Sequence, residues 1–292
     1  QHGLSGPDAF RQTQTRHAKH YSEFGEMTFL DQLDDIHNKQ WGQFFEELEN
    51  FIIAIEYGNG ESASNCCLAA LKILGMQGPT SLGVDITNRA LQKDNIPWLS
   101  KNRLNIAHSR FLRISGHVQE ARHGANNEPS FSVDDILPLY NIDSTSINQR
   151  HSHTPFNKYQ DPTSPSKPTH DEQRLKAEQL VEQGNIEETE SLYARALRKY
   201  QQALNIYQQI EYAKGLASTL LKIGGVHRSI TDYHGALETF ERSLEIAKTN
   251  DLPLLVADSL TEMGKIYLRK GEYQKSIEHF EQSLEVTKET QD

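Results

Sequence analysis

His17 and His20 lie three residues apart, as two metal ligands on one helix face would, and His151 and His153 lie two apart. A bound metal needs further donors. No Cys, Asp or Glu stands at a recognisable ligand spacing from either pair. His17 and His20 therefore read as a solvated helix face, and His151 and His153 as residues of a polar connector. Glu46, Glu47 and Glu49 bring carboxylates close enough together for acid–base work. On a helix they point away from Phe45, Leu48 and Ile52, so they too read as a solvated face. Cys66 and Cys67 are adjacent; such neighbours rarely bridge to each other and read as small buried hydrophobes. There is no Gly-x-Ser-x-Gly elbow, no plausible Cys–His pair and no GxxxxGK[ST] phosphate loop. Gly58-Asn59-Gly60 and Gly75 to Gly78 lack a phosphate-contacting lysine and read as helix ends. The expectation is a chain that binds and does not catalyse, with no cofactor and no metal.

Composition agrees with that expectation. The chain has 292 residues, of which 36% are hydrophobic, low for a rounded enzyme and suited to an elongated solenoid with much surface. The net charge of −10 is spread along the chain with no basic block, which disfavours nucleic acid as a partner. No apolar stretch approaches the ~18 residues of a membrane span, and no signal-peptide pattern opens the chain. A cytoplasmic location without membrane contact is expected. The first residue is Gln1, which suggests a fragment or processed product of something larger.

What positions these residues is a repeat. Ala217, Leu220, Ile223, Gly224, Val226, Tyr233, Ala236, Phe240, Ser243 and Leu244 recur 40 residues on as Ala257, Leu260, Met263, Gly264, Ile266, Tyr273, Ser276, Phe280, Ser283 and Leu284. Apolar residues three or four apart before and after each turn predict two helices per unit. Small residues at Gly224, Gly264, Ala236 and Ser276 are placed for close helix approach, and Tyr233, Phe240, Tyr273 and Phe280 for filling between hairpins. One hairpin cannot bury both stripes, so neighbours must stack. Upstream, Ala196, Tyr200 and Ala203-Leu204 match at the same shift, but Gly184-Asn185-Ile186, Tyr193 and Ala196-Leu197 match seven residues earlier. One long helix over Glu187 to Ile210 accommodates both registers, since no Gly or Pro breaks it.

The unit resembles the tetratricopeptide repeat. It reads Ile223-Gly224, His227, Thr231-Asp232-Tyr233, Ala236, Phe240 and Ser243-Leu244, then Met263-Gly264, Tyr267, Gly271-Glu272-Tyr273, Ser276, Phe280 and Ser283-Leu284. The family period is about 34 residues, so six extra residues are expected around Lys248 to Pro253. The resemblance implies an all-α fold: a right-handed superhelical α-solenoid of antiparallel helix hairpins, with irregular helical repeats in the N-terminal part. It also implies a concave groove lined by the first helix of each hairpin, at Leu221, Lys222, Gly225, Arg228, Ser229, Thr261, Glu262, Lys265, Leu268 and Arg269. Lys222, Arg228, Lys265 and Arg269 would then form a basic stripe suited to a protein or an acidic peptide, or to a small anionic ligand. Leu221 and Gly225 stand where the chaperone-binding groove has Lys and Asn, which argues against a chaperone tail.

The chain divides into a degenerate helical region over 9–125, a polar Ser/Thr/Pro-rich linker or insertion over 126–170, and repeats over 171–292, near 171–216, 217–256 and 257–292. In the first region helices are expected over Asp8–Phe24, Phe29–Ile36, Trp41–Tyr57, Ser62–Leu74, Leu82–Leu91 and Lys101–Ser115. A degenerate hairpin follows at Gly116 to Ala121. Arg16-His17-Ala18 with Tyr21, then Glu47-Leu48-Glu49-Asn50 with Ala54-Ile55-Glu56, resemble segments of the signal-transducing ATPases with numerous domains. That superfamily holds the MalT-type and AfsR-type regulators and the NB-ARC proteins. The resemblance implies a sensor arm, with the nucleotide-binding module of the same polypeptide or complex as its partner. The alternative is a stand-alone tetratricopeptide adaptor that assembles proteins.

Overall fold

A computed structural model describes residues 7–26, 29–30, 44–126 and 168–289. Every regular element among them is helical. The N-terminal part runs α1 (Pro7–Ser22), a 3-10 turn at Glu23–Gly25, α2 (Leu48–Tyr57), α3 (Gly60–Gln77), α4 (Thr80–Leu91), α5 (Trp98–Ile114) and α6 (Val118–Ala125). α3 is its hub. The Asn59 side chain caps it by accepting from Ser62 N at 2.8 Å. Ala63, Cys66, Cys67, Ala69 and Ala70 on α3 are fully buried against Phe51, Ile55, Ile86 and Leu104. Side chains this small let neighbouring helices approach closely. Both thiols are free, and the Cys66 Sγ–H donates to Ala18 O at 3.6 Å. Burial pushes the Cys66 thiol up to about 12.

Two expectations for this part need correction. Gly75 does not end α3, which runs on to Gln77 and stops at Gly78. Gly75 is exposed with open space around it, so it weakens the helix without turning it. The helix expected from Trp41 is broken at Glu47, and Glu47 is no solvated carboxylate. Its Oε2 accepts from Tyr21 Oη at 2.7 Å and from Asn50 Nδ2 at 2.6 Å. These two bonds hold Glu47 below its ordinary range, while burial and the facing Glu47 push Tyr21 up to about 12. Most of the Phe29–Ile36 segment, and the connector from 127 to 167, lie outside the described residues.

The C-terminal part is three hairpins. α7 (His170–Thr189) pairs with α8 (Tyr193–Gln209), α9 (Ala213–Ser229) with α10 (Tyr233–Thr249), and α11 (Pro253–Lys270) with α12 (Tyr273–Glu289). A capping box starts α7, with Glu172 N donating to Thr169 Oγ1 and Thr169 N to Glu172 Oε2. Ser191, Glu211, Thr231, Asp251 and Gly271 end the first five of these helices at positive φ of 61°, 53°, 66°, 53° and 76°. In each turn the next N–H reaches back five residues: Leu192 to Glu187 O, Tyr212 to Tyr207 O, Asp232 to His227 O, Leu252 to Ala247 O and Glu272 to Tyr267 O, all within 2.8–2.9 Å. This is a left-handed helix stop that satisfies an orphan carbonyl.

The turns therefore fall every 20 residues, and a repeat of 40 is two near-equal helices with two like turns. The residues beyond the common period are shared between the helices and are not gathered at Lys248 to Pro253. The single helix expected over Glu187–Ile210 does not form, because Ser191 takes the left-handed conformation and ends α7 without help from Gly or Pro. The hairpins span 170–209, 213–249 and 253–289, so the divisions expected at 217 and 257 fall one turn inside their first helices.

Packing repeats with the turns. A Cβ on Gly184, Gly224 or Gly264 would come within 2.4, 2.3 or 2.7 Å of the ring of Tyr200, Phe240 or Phe280. Only a bare α-carbon leaves space for each aromatic ring against the first helix. Between hairpins, Leu220, Ile223 and Val226 of α9 cluster with Ala196, Tyr200 and Leu204 of α8. Met263 and Ile266 of α11 cluster with Ala236 and Phe240 of α10. α5 and α6 close on α7 through Leu112, Ala121, Ala125 and Ile186. The α5–α6 turn is again a left-handed stop, at Gly116 with φ 88°, and His117 N reaches Leu112 O at 2.8 Å. No described helix is long and apolar enough to cross a membrane.

Candidate functional site

The first helices of the hairpins carry polar residues in rows 40 apart. Glu182, Lys222 and Glu262 form one row, Asn185, Gly225 and Lys265 the next, and Glu188, Arg228 and Leu268 a third. α5 meets the α7 end of these rows with Arg110 and Arg113.

Glu182 anchors the site and is only 1% exposed. Its Oε1 accepts from Arg113 Nε at 2.8 Å, its Oε2 from Asn185 Nδ2 at 3.0 Å, and Arg110 Nε lies 3.7 Å away. A carboxylate this buried persists only with such partners. Tyr200 Oη lies 2.9 Å from Asn185 Oδ1 and 2.8 Å from Glu188 Oε2, which carries the network into α8. Burial, with Glu188 adding to it, pushes the Tyr200 hydroxyl far above its ordinary range. Outside this centre, Arg122 of α6 pairs with Glu187 at 3.0 Å and with Glu190. The N-terminal helices and the repeats thus share a charged joint.

Lys222 sits one repeat beyond Glu182. Among the described residues it has no hydrogen-bond or ion-pair partner. Burial and then Arg110 lower its ammonium below the usual lysine range, Arg113 adds to this, and Glu182 and Glu188 oppose it. A half-buried ammonium beside two guanidinium groups is a cluster of like charge, offset only by Glu182 and Glu188.

The residues expected to line the groove separate into two sets. Arg228 Nε faces Glu262 Oε2 at 3.3 Å, and Lys265 Nζ donates to Glu262 Oε1 at 2.6 Å. Gly225 opens onto empty space, and the Ser229 hydroxyl is turned back to Gly225 O at 3.0 Å. Leu268 is 50% exposed and Arg269 is exposed. Leu221, by contrast, packs with Phe240 and Met263, and the Thr261 hydroxyl pairs with Ser283 on α12 at 2.9 Å. The basic stripe expected from Lys222, Arg228, Lys265 and Arg269 is interrupted, because Glu262 lies between Arg228 and Lys265 and pairs with both. Glu182, Asn185 and Glu188 were not anticipated, although each is a later row member minus 40. Reading Tyr200 as the partner of Phe240 finds them. Nothing in the local sequence marks Arg110 and Arg113, which the fold of α5 delivers.

Elsewhere, a cavity of about 500 Å3 opens between α8, α9 and α10, lined by Leu204, Ile223, His227, Asp232, Glu238 and Arg242 among others. His227 Nδ1 lies 2.8 Å from Asp232 Oδ2; no Ser or Cys lines the cavity, and its one threonine, Thr239, turns its hydroxyl back to Gly235 O at 2.7 Å. The Gly235 N–H, and then His227, hold the Asp232 carboxyl below its ordinary range. The His17 ring is tilted against Tyr21 at 4.6 Å, and the His20 ring meets Tyr21 edge-on at 5.1 Å. His151 and His153 lie outside the described residues. Among the described residues no three His, Cys, Asp or Glu side chains gather as metal donors would.

Comparison with known proteins bears on the repeats and the fold. Tetratricopeptide repeat models match residues 174–249 and 259–292. No curated protein matches the chain in sequence. Among solved structures, the chain is similar to a signal transduction ATPase with numerous domains that carries a tetratricopeptide repeat sensor, from Pyrococcus horikoshii. The TM-score is 0.57 and the identity 13%, covering 97% of this chain and 37% of that one. It is also similar to BtubC from P. vanneervenii, with a TM-score of 0.53 and 13% identity, covering 84% of this chain and 87% of that one. The chain therefore spans little more than a third of the Pyrococcus protein, and both likenesses are of fold. Residues 174–249 and 259–292 are tetratricopeptide repeats, and the charged row from Glu182 to Glu262 runs along their first helices.

Proposed function

We propose that this chain is the non-catalytic, ligand- or protein-binding arm of a multidomain signalling NTPase, and that it passes binding on to a nucleotide-binding module outside this chain. Tetratricopeptide repeats are protein- and peptide-binding modules. The observation that carries the reading is Lys222, unpartnered beside Arg110 and Arg113, next to a Glu182 that already spans both parts of the chain. An acidic peptide or small anion bound at Lys222 would compete for the two arginines of α5. The joint would then feel the ligand directly. The fold likeness to a sensor-bearing signalling ATPase over 97% of this chain supports the same reading.

Titration calorimetry with a capped tri-glutamate peptide, and separately with inorganic phosphate, tests the site. Binding should fall at least tenfold in Lys222→Met, and an unchanged affinity would sink the assignment. Hydrogen exchange then tests the arm. Protection on binding should extend from α9 into α5 and α6.

A stand-alone adaptor is the second reading. It is favoured by the likeness to BtubC, where the match takes in 87% of a chain of comparable length. Protection confined to α7 through α12 would favour it over the sensor arm.

A further inference from the structure

The two junctions between hairpins share one packing scheme but differ where two second helices flank the first helix between them. At the second junction that space is filled from within the chain. Tyr267 of α11 meets the His279 ring of α12 at 5.0 Å, and Lys275 Nζ lies 5.3 Å from the centre of the Tyr267 ring. Lys275 also donates to Glu272 Oε2 at 2.7 Å, and Gln274 Nε2 donates to Glu278 Oε1 at 3.2 Å. The place holds an aromatic pair with a cation over the tyrosine, and both neighbouring carboxylates are satisfied.

Forty residues earlier the same positions shrink. His227, Gly235 and Thr239 stand for Tyr267, Lys275 and His279. All three line the cavity of about 500 Å3 between α8, α9 and α10, and Leu204, Leu220 and Ile223 give it an apolar floor. Its rim carries both signs of charge. Glu238 and Arg242 both line the cavity and lie four residues apart on α10, a spacing at which such residues ordinarily pair. Among the described residues neither has a hydrogen-bond or ion-pair partner. Their equivalents at the second junction are Glu278, which Gln274 holds, and the neutral Gln282. Asp232 is already engaged, by the Gly235 N–H at 3.0 Å and by His227 at 2.8 Å.

We propose that this cavity binds a small aromatic zwitterion, a ring system carrying an ammonium and a carboxylate group, as in a free aromatic amino acid. The ring takes the place that Tyr267 and His279 fill at the second junction, against Leu204, Leu220 and Ile223. The ammonium faces Glu238 and the carboxylate faces Arg242. A cavity of this volume suits a ligand of that size. One molecule of no net charge answers both rim residues, which a simple anion or cation does not. The site is separate from Lys222, which does not line the cavity.

Titration calorimetry of the intact chain with L-tryptophan tests it, with tryptamine and indole-3-propionate as ligands that each lack one charged end. Saturable binding of L-tryptophan is expected, about tenfold weaker for either analogue, and about tenfold weaker in Glu238→Gln and in Arg242→Gln. Lys248→Gln, an exposed change farther along α10 and outside the cavity lining, should leave the affinity unchanged. His227→Tyr/Thr239→His installs the residues of the second junction and should abolish binding. If that double variant loses helicity, the two single variants at exposed Glu238 and Arg242 decide. No saturable binding of L-tryptophan, equal affinity for it and its analogues, or unchanged affinity in both single variants overturns the proposal.

Discussion

Arg113 and Glu182 are 69 residues apart in sequence and meet at 2.8 Å across the joint between α5 and α7. Glu182 is 1% exposed and the Arg113 side chain 20%, so the pair is shielded mainly on the carboxylate side. Removing the carboxylate would leave Arg113 and Arg110 facing each other without compensation. Glu182→Ala should lower unfolding free energy by ~3 kcal/mol, the low end for breaking a buried pair, because Arg113 keeps some solvent. Urea denaturation checks it. A loss below ~1 kcal/mol would show that the joint holds without this pair.

Lys222 should trade stability for binding. Its ammonium is desolvated beside two arginines, which disfavours the charged form in the folded state. Lys222→Met removes that charge and keeps the aliphatic stem. The variant should unfold at higher denaturant, with a gain of about 1 kcal/mol, and should lose affinity for the tri-glutamate peptide. A destabilised variant would place the ammonium in water.

Thr231 holds φ at 66°, a conformation that β-branched side chains resist. Gly271 fills the equivalent place 40 residues on without that cost. Thr231→Gly should therefore stabilise the chain by ~1 kcal/mol, despite the greater freedom glycine gives the unfolded state. Thermal melts of the two proteins decide it, and a lowered midpoint would mean the turn is not strained.

The rings at Phe240 and Phe280 occupy the same place in successive hairpins but not the same burial. Phe240→Ala should cost ~3–5 kcal/mol, and Phe280→Ala clearly less, since its outer side is uncovered. Gly224→Ala should also destabilise, by about 1–3 kcal/mol, because the new methyl meets the Phe240 ring. Equal losses for the two aromatic variants would contradict the difference in burial between the two rings.

Glu47 gives the N-terminal part an acid sensitivity. Its folded carboxyl lies below the ordinary value of 4.5, through the Tyr21 and Asn50 hydrogen bonds. Below 4.5 the unfolded chain takes up a proton before the folded one does, so the stabilisation present at neutral pH is lost as pH falls through the folded value. Tyr21→Phe should flatten that part of the stability–pH curve. An unchanged slope would assign the acid response elsewhere.

How far the sequence disclosed this molecule depended on the kind of contact. The stacked hairpins were legible because Phe240 and Gly224 recur at a fixed shift as Phe280 and Gly264. The turn at Ser191 was hidden, since a serine in the left-handed conformation leaves no glycine to mark it. That one turn obscured the first-repeat register, and with it Glu182 and Asn185. Tyr21 and Glu47 were singled out as separate motifs, but their bond spans a segment whose path no local pattern fixes. Arg110 and Arg113 were invisible for the same reason, because a long-range packing of helices, and no spacing, brings them to Glu182. The expected basic stripe is interrupted at Glu262, whose pair with Lys265 within its helix and with Arg228 across helices the residue types alone do not disclose.

The even spacing of Ser191, Glu211, Thr231, Asp251 and Gly271 limits how the chain can change in length. Dropping or adding one helix would exchange the roles of first and second helices in everything downstream. Leu244 would then stand where Gly224 now leaves space for the Phe240 ring, and Lys222 would stand where Arg242 does. Growth or loss is harmless only in steps of two helices, so viable length variants should differ by multiples of 40 residues, and a 20-residue deletion should be as disruptive as a frameshift in register.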